Sequence, residues 1–191
     1  PEPKDTPLID ATETALVAST DRVVILDHAG QRYVAKRVAY QPRSRLQAFF
    51  VRWLVKVITG QSLPMKTLRL SEAASSVDYE GRRLTSLAQA GVRVPRLIHR
   101  GPGYLLLEHC GDTFANLFGH WPIEVCRSEL VAEARELGLF HRAGQWHGAA
   151  QIKNLTRKDG HTWRIDFEED FGELVPLPVA QALDIVLFLN S

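Results

Sequence analysis

Four side chains of this sequence have the types and surroundings to do chemistry: Lys36, Glu80, Asn154 and Asp166. Asn154 closes the run Gln145-Trp146-His147-Gly148-Ala149-Ala150-Gln151-Ile152-Lys153-Asn154, and Asp166 opens Asp166-Phe167-Glu168 after the short stretch Trp163-Arg164-Ile165. An amide oxygen and a carboxylate are hard donors. They suit Mg²⁺, which keeps several waters and draws its remaining ligands from phosphate oxygens. Lys36 ends Val34-Ala35-Lys36, and strand alternation puts it on the face of Val34. Standing alone, such a lysine is a solvated surface charge. Glu80 shares a helical face with Leu84 and Leu87, which turns it inward. Its plainer role is a solvated charge paired with Arg82 or Arg83, and Glu72 is a second, weaker candidate. Glu168, Glu169 and Asp170 add negative charge beside Asp166, either to bind a second ion or to face solvent.

Periodicity and turn chemistry predict the helices and strands that carry these residues. Residues 1–13 carry Pro, Asp, Glu and Thr without a period and read as a leader outside the fold. Ala15–Ala18, Arg22–Leu26 and Arg32–Val38 predict three antiparallel strands, with turns at Thr20-Asp21 and Ala29-Gly30. After Pro42, the positions Leu46, Phe49, Phe50, Trp53, Leu54 and Val57 predict a helix closed by Gly60 and Pro64. A second helix is predicted from about Ala73 to Gln89, with Gly91 as its stop. Val94–Ile98 and Tyr104–Glu108 complete an expected five-stranded sheet. Gly111-Asp112 breaks the pattern. Helical spacing returns from Ile123 to Gly144 and again from Val179 to Leu189, where Asp184 is the single charge.

The loop 147–154 and the motif 166–168 resemble the catalytic loop and metal-binding strand of the protein-kinase-like phosphotransferases. That family's loop reads His-Arg-Asp or His-Gly-Asp, four residues and Asn, and its metal strand ends in Asp-Phe-Gly. The order of elements resembles the two-lobed kinase fold over nearly the whole chain, closest to the small bacterial lipopolysaccharide core-sugar kinases and their atypical relatives. The resemblance implies an α+β fold, with a five-stranded antiparallel N-lobe over residues 14–110 and a reduced, mainly helical C-lobe over 111–191. It further implies ATP and Mg²⁺ as cofactors, with Lys36 on the phosphates, Glu80 orienting Lys36, and Asn154 and Asp166 holding the metal. Glu108 and Cys110 would present backbone groups to adenine, although a packing role suits the Cys110 side chain equally. His147 takes a structural place, and His141 reads as a satisfied core histidine.

Two positions depart from the family. Ala149 stands where the acceptor-orienting Asp belongs, and the segment Ser19-Thr20-Asp21, expected to link the first two strands, has none of the glycines that cover phosphates. A general base often supplies a factor of roughly 10² to 10⁴. Its loss leaves two readings open. One is an atypical phosphotransferase acting on a hydroxyl of a sugar, glycolipid or related acceptor, with Gln151, Glu168 or a substrate group aiming that hydroxyl. The other is a pseudokinase, a nucleotide-binding or membrane-surface regulatory module.

Composition bounds the partners. The 191 residues are 45% hydrophobic and 24% charged, which is ordinary globular usage. A formal net charge of +1 gives no global polyanion-binding field, so no nucleic acid is expected. The two cysteines, Cys110 and Cys126, have no metal-ligand spacing and form no disulfide framework, which fits a reducing cytoplasm. No apolar run approaches the roughly 20 residues that cross a bilayer, and the start of the chain lacks a signal-peptide pattern. The absence of an initial Met is what a piece of a longer chain would show. The helical insertion at 43–58 sets Arg45, Arg52 and Lys56 in one stripe beside an aromatic-rich apolar face. It either packs on the N-lobe with its charges in water, or makes a peripheral contact with the inner membrane.

Overall fold

The computed structural model describes residues 6–37, 45–60, 62 and 77–191, and the candidate Glu72 lies outside them. In chain order the elements are α1 (Thr6–Ala18), β1 (Val23–His28), β2 (Gln31–Arg37), α2 (Arg45–Thr59), α3 (Val77–Gln89), β3 (Leu97–Gly101) and β4 (Tyr104–Glu108). There follow β5 (Asp112–Thr113), α4 (Phe114–Phe118), α5 (Ile123–Arg142), a 3-10 turn at Ile152–Asn154, β6 (Leu155–Lys158), β7 (His161–Arg164), α6 (Phe171–Leu174) and α7 (Leu177–Leu189). Among the described residues the fold is α+β with two antiparallel sheets. The chain divides into two compact units, Pro1–Tyr40 with Glu72–Gly111 and Gln41–Ser71 with Asp112–Ser191.

The sheet of the first unit has four strands among the described residues, in the order β1-β2-β4-β3, and not the expected five. The segment Ala15–Ala18 is the last turn of α1. Its short apolar run is ambiguous by itself; what decides it is that Leu8, Thr12 and Leu16 recur at helical spacing and are all buried. Leu8 and Leu16 share a core with Leu26, Ala35, Tyr104 and Leu106, so residues from Thr6 onward belong to the packed unit and not to a leader. The Arg37 guanidinium donates to the carbonyls of Leu16, Ser19 and Asp21. Acceptors left over at the end of α1 are thereby satisfied by the strand that carries Lys36.

The first two strands are joined not at Ser19–Asp21 but by the two-residue turn Ala29-Gly30, where φ is +50° and +77°. Positive φ at both positions is the hairpin turn whose twist matches its strands. β3 starts three residues later than the expected Val94, and its pairing with β4 shifts register between Leu97 and His99. At its end, a Cβ on Gly101 would lie 2.0 Å from the Tyr104 ring, so only glycine fits there.

In the second unit α2 is not an insertion on the N-terminal sheet. Its Leu54 and Val55 are buried with Trp146, Val175, Val179, Ala180 and Leu183, which makes it a partner of α7. Fully burying one such aliphatic side chain is worth about 1.5–3 kcal/mol, enough to decide where an amphipathic helix docks. The sheet order is β5-β6-β7. β6 and β7 are joined by Asp159-Gly160, again with both φ values positive (+52° and +75°). Beneath this sheet, Arg164 and Glu133 form a buried ion pair at 3.5 Å, and the guanidinium also lies 5.4 Å from the Phe140 ring centre. Burial pushes the Glu133 carboxyl above, and the Arg164 guanidinium below, their ordinary pKa ranges.

Candidate active site

Lys36, Glu80, Glu108 and Cys110 belong to the first unit, Asn154 and Asp166 to the second. On β2, Lys36 is paired with Val23 on one side and Leu105 on the other, so its backbone is fixed by two neighbouring strands. Glu80 lies on the face of α3 that also buries Leu84 and Leu87. The two meet: Lys36 Nζ is 2.9 Å from Glu80 Oε1, and their side chains are only 9% and 2% exposed. Neither residue is a solvated surface charge. Next to Glu80, Gly81 lets the Arg100 side chain cross the helix, where a Cβ would stand 2.8 Å from Arg100 Nε. Arg100 also reaches Asp78 at 3.3 Å, which ties α3 to β3.

The segment after β4 is held by its own backbone. The Glu108 N–H donates to the Arg96 carbonyl (2.9 Å), and the His109 N–H donates to Arg32 (3.3 Å). The Gly111 N–H donates to His109 Nδ1 at 3.3 Å. The Cys110 side chain is buried, and its sulfur lies 3.6 Å from the Glu108 carbonyl, so it packs inward.

In the second unit the run 146–154 is pinned at both ends. Trp146 enters the core described above, and Gly172 leaves room for its ring, since a Cβ there would lie 2.1 Å from it. The Gly148 backbone has φ +88°, and a Cβ would approach Glu169 Cβ to 2.7 Å and Trp146 to 2.9 Å. Conformation and space both demand glycine at that point. Asp184 of α7, fully buried, accepts from the N–H groups of His147 (2.6 Å) and Gly148 (2.7 Å), and it lies 3.1 Å from His141 Nε2. One carboxylate therefore holds the start of the loop and satisfies His141 as well. Three helical residues earlier, Gln181 donates to the carbonyls of His141 and Gln145 and finishes α5. Sequence reading missed the roles of both residues; the only signal was that Gln181 and Asp184 are the two strongly polar side chains of an apolar helix.

The loop then folds back on itself. His147 Nδ1 accepts the Ala149 N–H (3.2 Å), a structural bond that leaves Nδ1 no role as a base. The Ala149 carbonyl accepts from the Gln151 N–H (2.7 Å) and from Asn154 Nδ2 (2.8 Å). With its NH₂ committed in this way, the Asn154 amide keeps its oxygen on the opposite side. The two motifs are neighbours: Ile165 N–H donates to the Asn154 carbonyl at 3.0 Å, and the His147 and Phe167 rings stack 4.3 Å apart. Asp166, one residue beyond that bond, has φ +69°. A left-handed backbone costs an L residue roughly 1–2 kcal/mol and is tolerated best by Asn and Asp; such strain concentrates at functional sites. The fixed amide oxygen and a half-buried carboxylate are donors of the type Mg²⁺ takes, so the residues present fit that ion. Glu168 and Glu169 are half-buried, whereas Asp170 is buried rather than facing solvent.

Neither a protein-family model nor a curated protein sequence matches this chain.

Proposed function

We propose that the chain is an atypical phosphotransferase of protein-kinase type, with a two-lobed kinase-like fold, which passes the γ-phosphoryl group of ATP to a hydroxyl of a sugar, glycolipid or related acceptor. The observation that carries this reading is the buried Lys36–Glu80 ion pair. A well-packed apolar pair would serve stability as well or better, so a buried lysine held by a carboxylate points to use of its charge. Lys36 would contact the α- and β-phosphates, and Glu80 keeps the ammonium aimed. Asn154 and Asp166 would hold Mg²⁺, which supplies neutralisation of phosphate charge when bound. The backbone of Glu108 to Cys110 would border adenine. Gln151, Glu168 or a group of the acceptor itself would orient the hydroxyl.

Two observations favour a second reading, a pseudokinase that binds nucleotide and signals without transfer. Residue 149 is Ala, and the β1–β2 turn has only two residues, too short to cover phosphates. Calorimetry with and without Mg²⁺ tests nucleotide binding first. A ligand at 100 times its Kd that binds only the native state adds about 2.7 kcal/mol, so Mg-ATP should raise Tm, and Asp166→Ala should abolish the Mg²⁺ dependence. Absence of binding at millimolar Mg-ATP overturns both readings.

Transfer of labelled γ-phosphate in Ala149→Asp then separates them. The backbone of Ala149 is engaged on both sides and its side chain is half-exposed, so the substitution changes the side chain and not the loop. A site organised around another orienting group gains little, or loses rate as the new charge repels the phosphates. A gain of roughly 10² to 10⁴ over a nearly inactive parent leaves the pseudokinase reading in place.

A further inference from the structure

The helix α2 has three faces. At about 100° per residue, Leu54 and Val55 mark the side packed in the core with α7, and Phe50 lies at its edge. Phe49, Trp53 and Val57, at four-residue steps, form a second face that is 63%, 51% and 62% exposed. Arg52 and Lys56, both exposed, form a third beside it, and Arg45 occupies the same helical position two turns earlier. An aromatic and aliphatic stripe left in water next to a basic ridge is not a feature of a helix that serves only to fill a core. Isolated exposed apolar residues need no explanation; a stripe of three on one helix does.

The charge of the surrounding sequence narrows the partner. Between Arg37 and Glu72 there is no Asp or Glu, while six Lys or Arg occur (Arg43, Arg45, Arg52, Lys56, Lys66 and Arg69), in a chain whose net charge is +1. The positive charge is thus local to the stretch that contains the apolar stripe. Apolar side chains flanked by cations match the boundary between anionic headgroups and acyl chains, where Trp and Phe sink in and Lys and Arg stay at headgroup level.

We propose that α2 is a peripheral docking face for an anionic lipid surface, with Phe49, Trp53 and Val57 entering the interface and Arg52 and Lys56 contacting headgroup phosphates. The opposite side of the same helix remains packed on α7, so attachment requires no unfolding. This inference does not depend on the phosphotransferase reading. No helix among the described residues is long and apolar enough to cross a membrane, so the contact is an interfacial one.

The test is sedimentation of the full chain with vesicles of phosphatidylcholine alone and of phosphatidylcholine with 30% phosphatidylglycerol. Binding is expected only to the anionic vesicles and should weaken with salt. Each basic residue near such a surface is worth roughly a fivefold factor, so Arg52→Ala/Lys56→Ala should lower the partition coefficient by about 25-fold. Phe49→Ser/Trp53→Ser/Val57→Ser should reduce sedimentation to the level seen without anionic lipid, with Tm kept near that of the parent because the three side chains are exposed. Equal sedimentation of parent and variants, or none by the parent, overturns the proposal. So does a parent that is dimeric by analytical ultracentrifugation and becomes monomeric in the stripe variant, since the face would then belong to a second copy of the chain.

Discussion

Replacing Asp184 by Ala is expected to destabilise the second unit by about 3–5 kcal/mol. The carboxylate is fully buried and accepts two backbone N–H groups, His147 and Gly148, besides lying against His141 Nε2. Each buried donor left without an acceptor costs about 1–3 kcal/mol, and hydrogen bonds to a charged acceptor stand at the strong end of the range. For a chain of this length the corresponding fall in Tm is on the order of 10 °C. Asp184→Asn should lose less, because its one oxygen still accepts from one N–H while its NH₂ opposes the other. His141→Ala removes a single contact at the edge and should cost the least. Urea titration of the three variants checks the ranking, and an Ala variant within about 1 kcal/mol of the parent would show that the carboxylate does not hold the loop.

Lys36→Met is expected to cost about 3–5 kcal/mol, because it strips the lysine from a carboxylate that is 2% exposed. Substituting both partners, Lys36→Met with Glu80→Leu, should recover most of that loss, since an apolar pair of similar volume avoids the desolvation of two ions. Binding of Mg-ATP behaves differently: it should be lost in the single variant and stay lost in the double. That divergence separates a charge kept for its chemistry from one kept for packing. A double variant that is stable and still binds Mg-ATP as the parent does would remove Lys36 from the site. Non-additivity is itself informative, because a double-mutant cycle on contacting residues measures the coupling between them.

Elements whose signals are local are legible in the sequence. Helical spacing marks α5 and α7. Tyr104–Glu108 is observed as the strand expected there, marked by a short continuous apolar run between turn residues, because it is buried on both faces. The candidates for chemistry came from the order of motifs that resembles a kinase-like site, since a lysine on a strand taken alone reads as a solvated surface charge. Everything that depends on long-range partners was decided by the tertiary structure. Residues 15–18 suit strand or helix alike, and became helix because Leu8, Thr12 and Leu16 found a sheet to cover. The amphipathic helix α2 carries no label for its partner; its apolar face was claimed by α7 and Trp146. The fixing of loop 147–154 came from Asp184, more than 30 residues away, and the pairing of Lys36 with Glu80 spans 44 residues. Such contacts are invisible to periodicity, because a buried charge is acceptable only once its partner has been brought to it by packing.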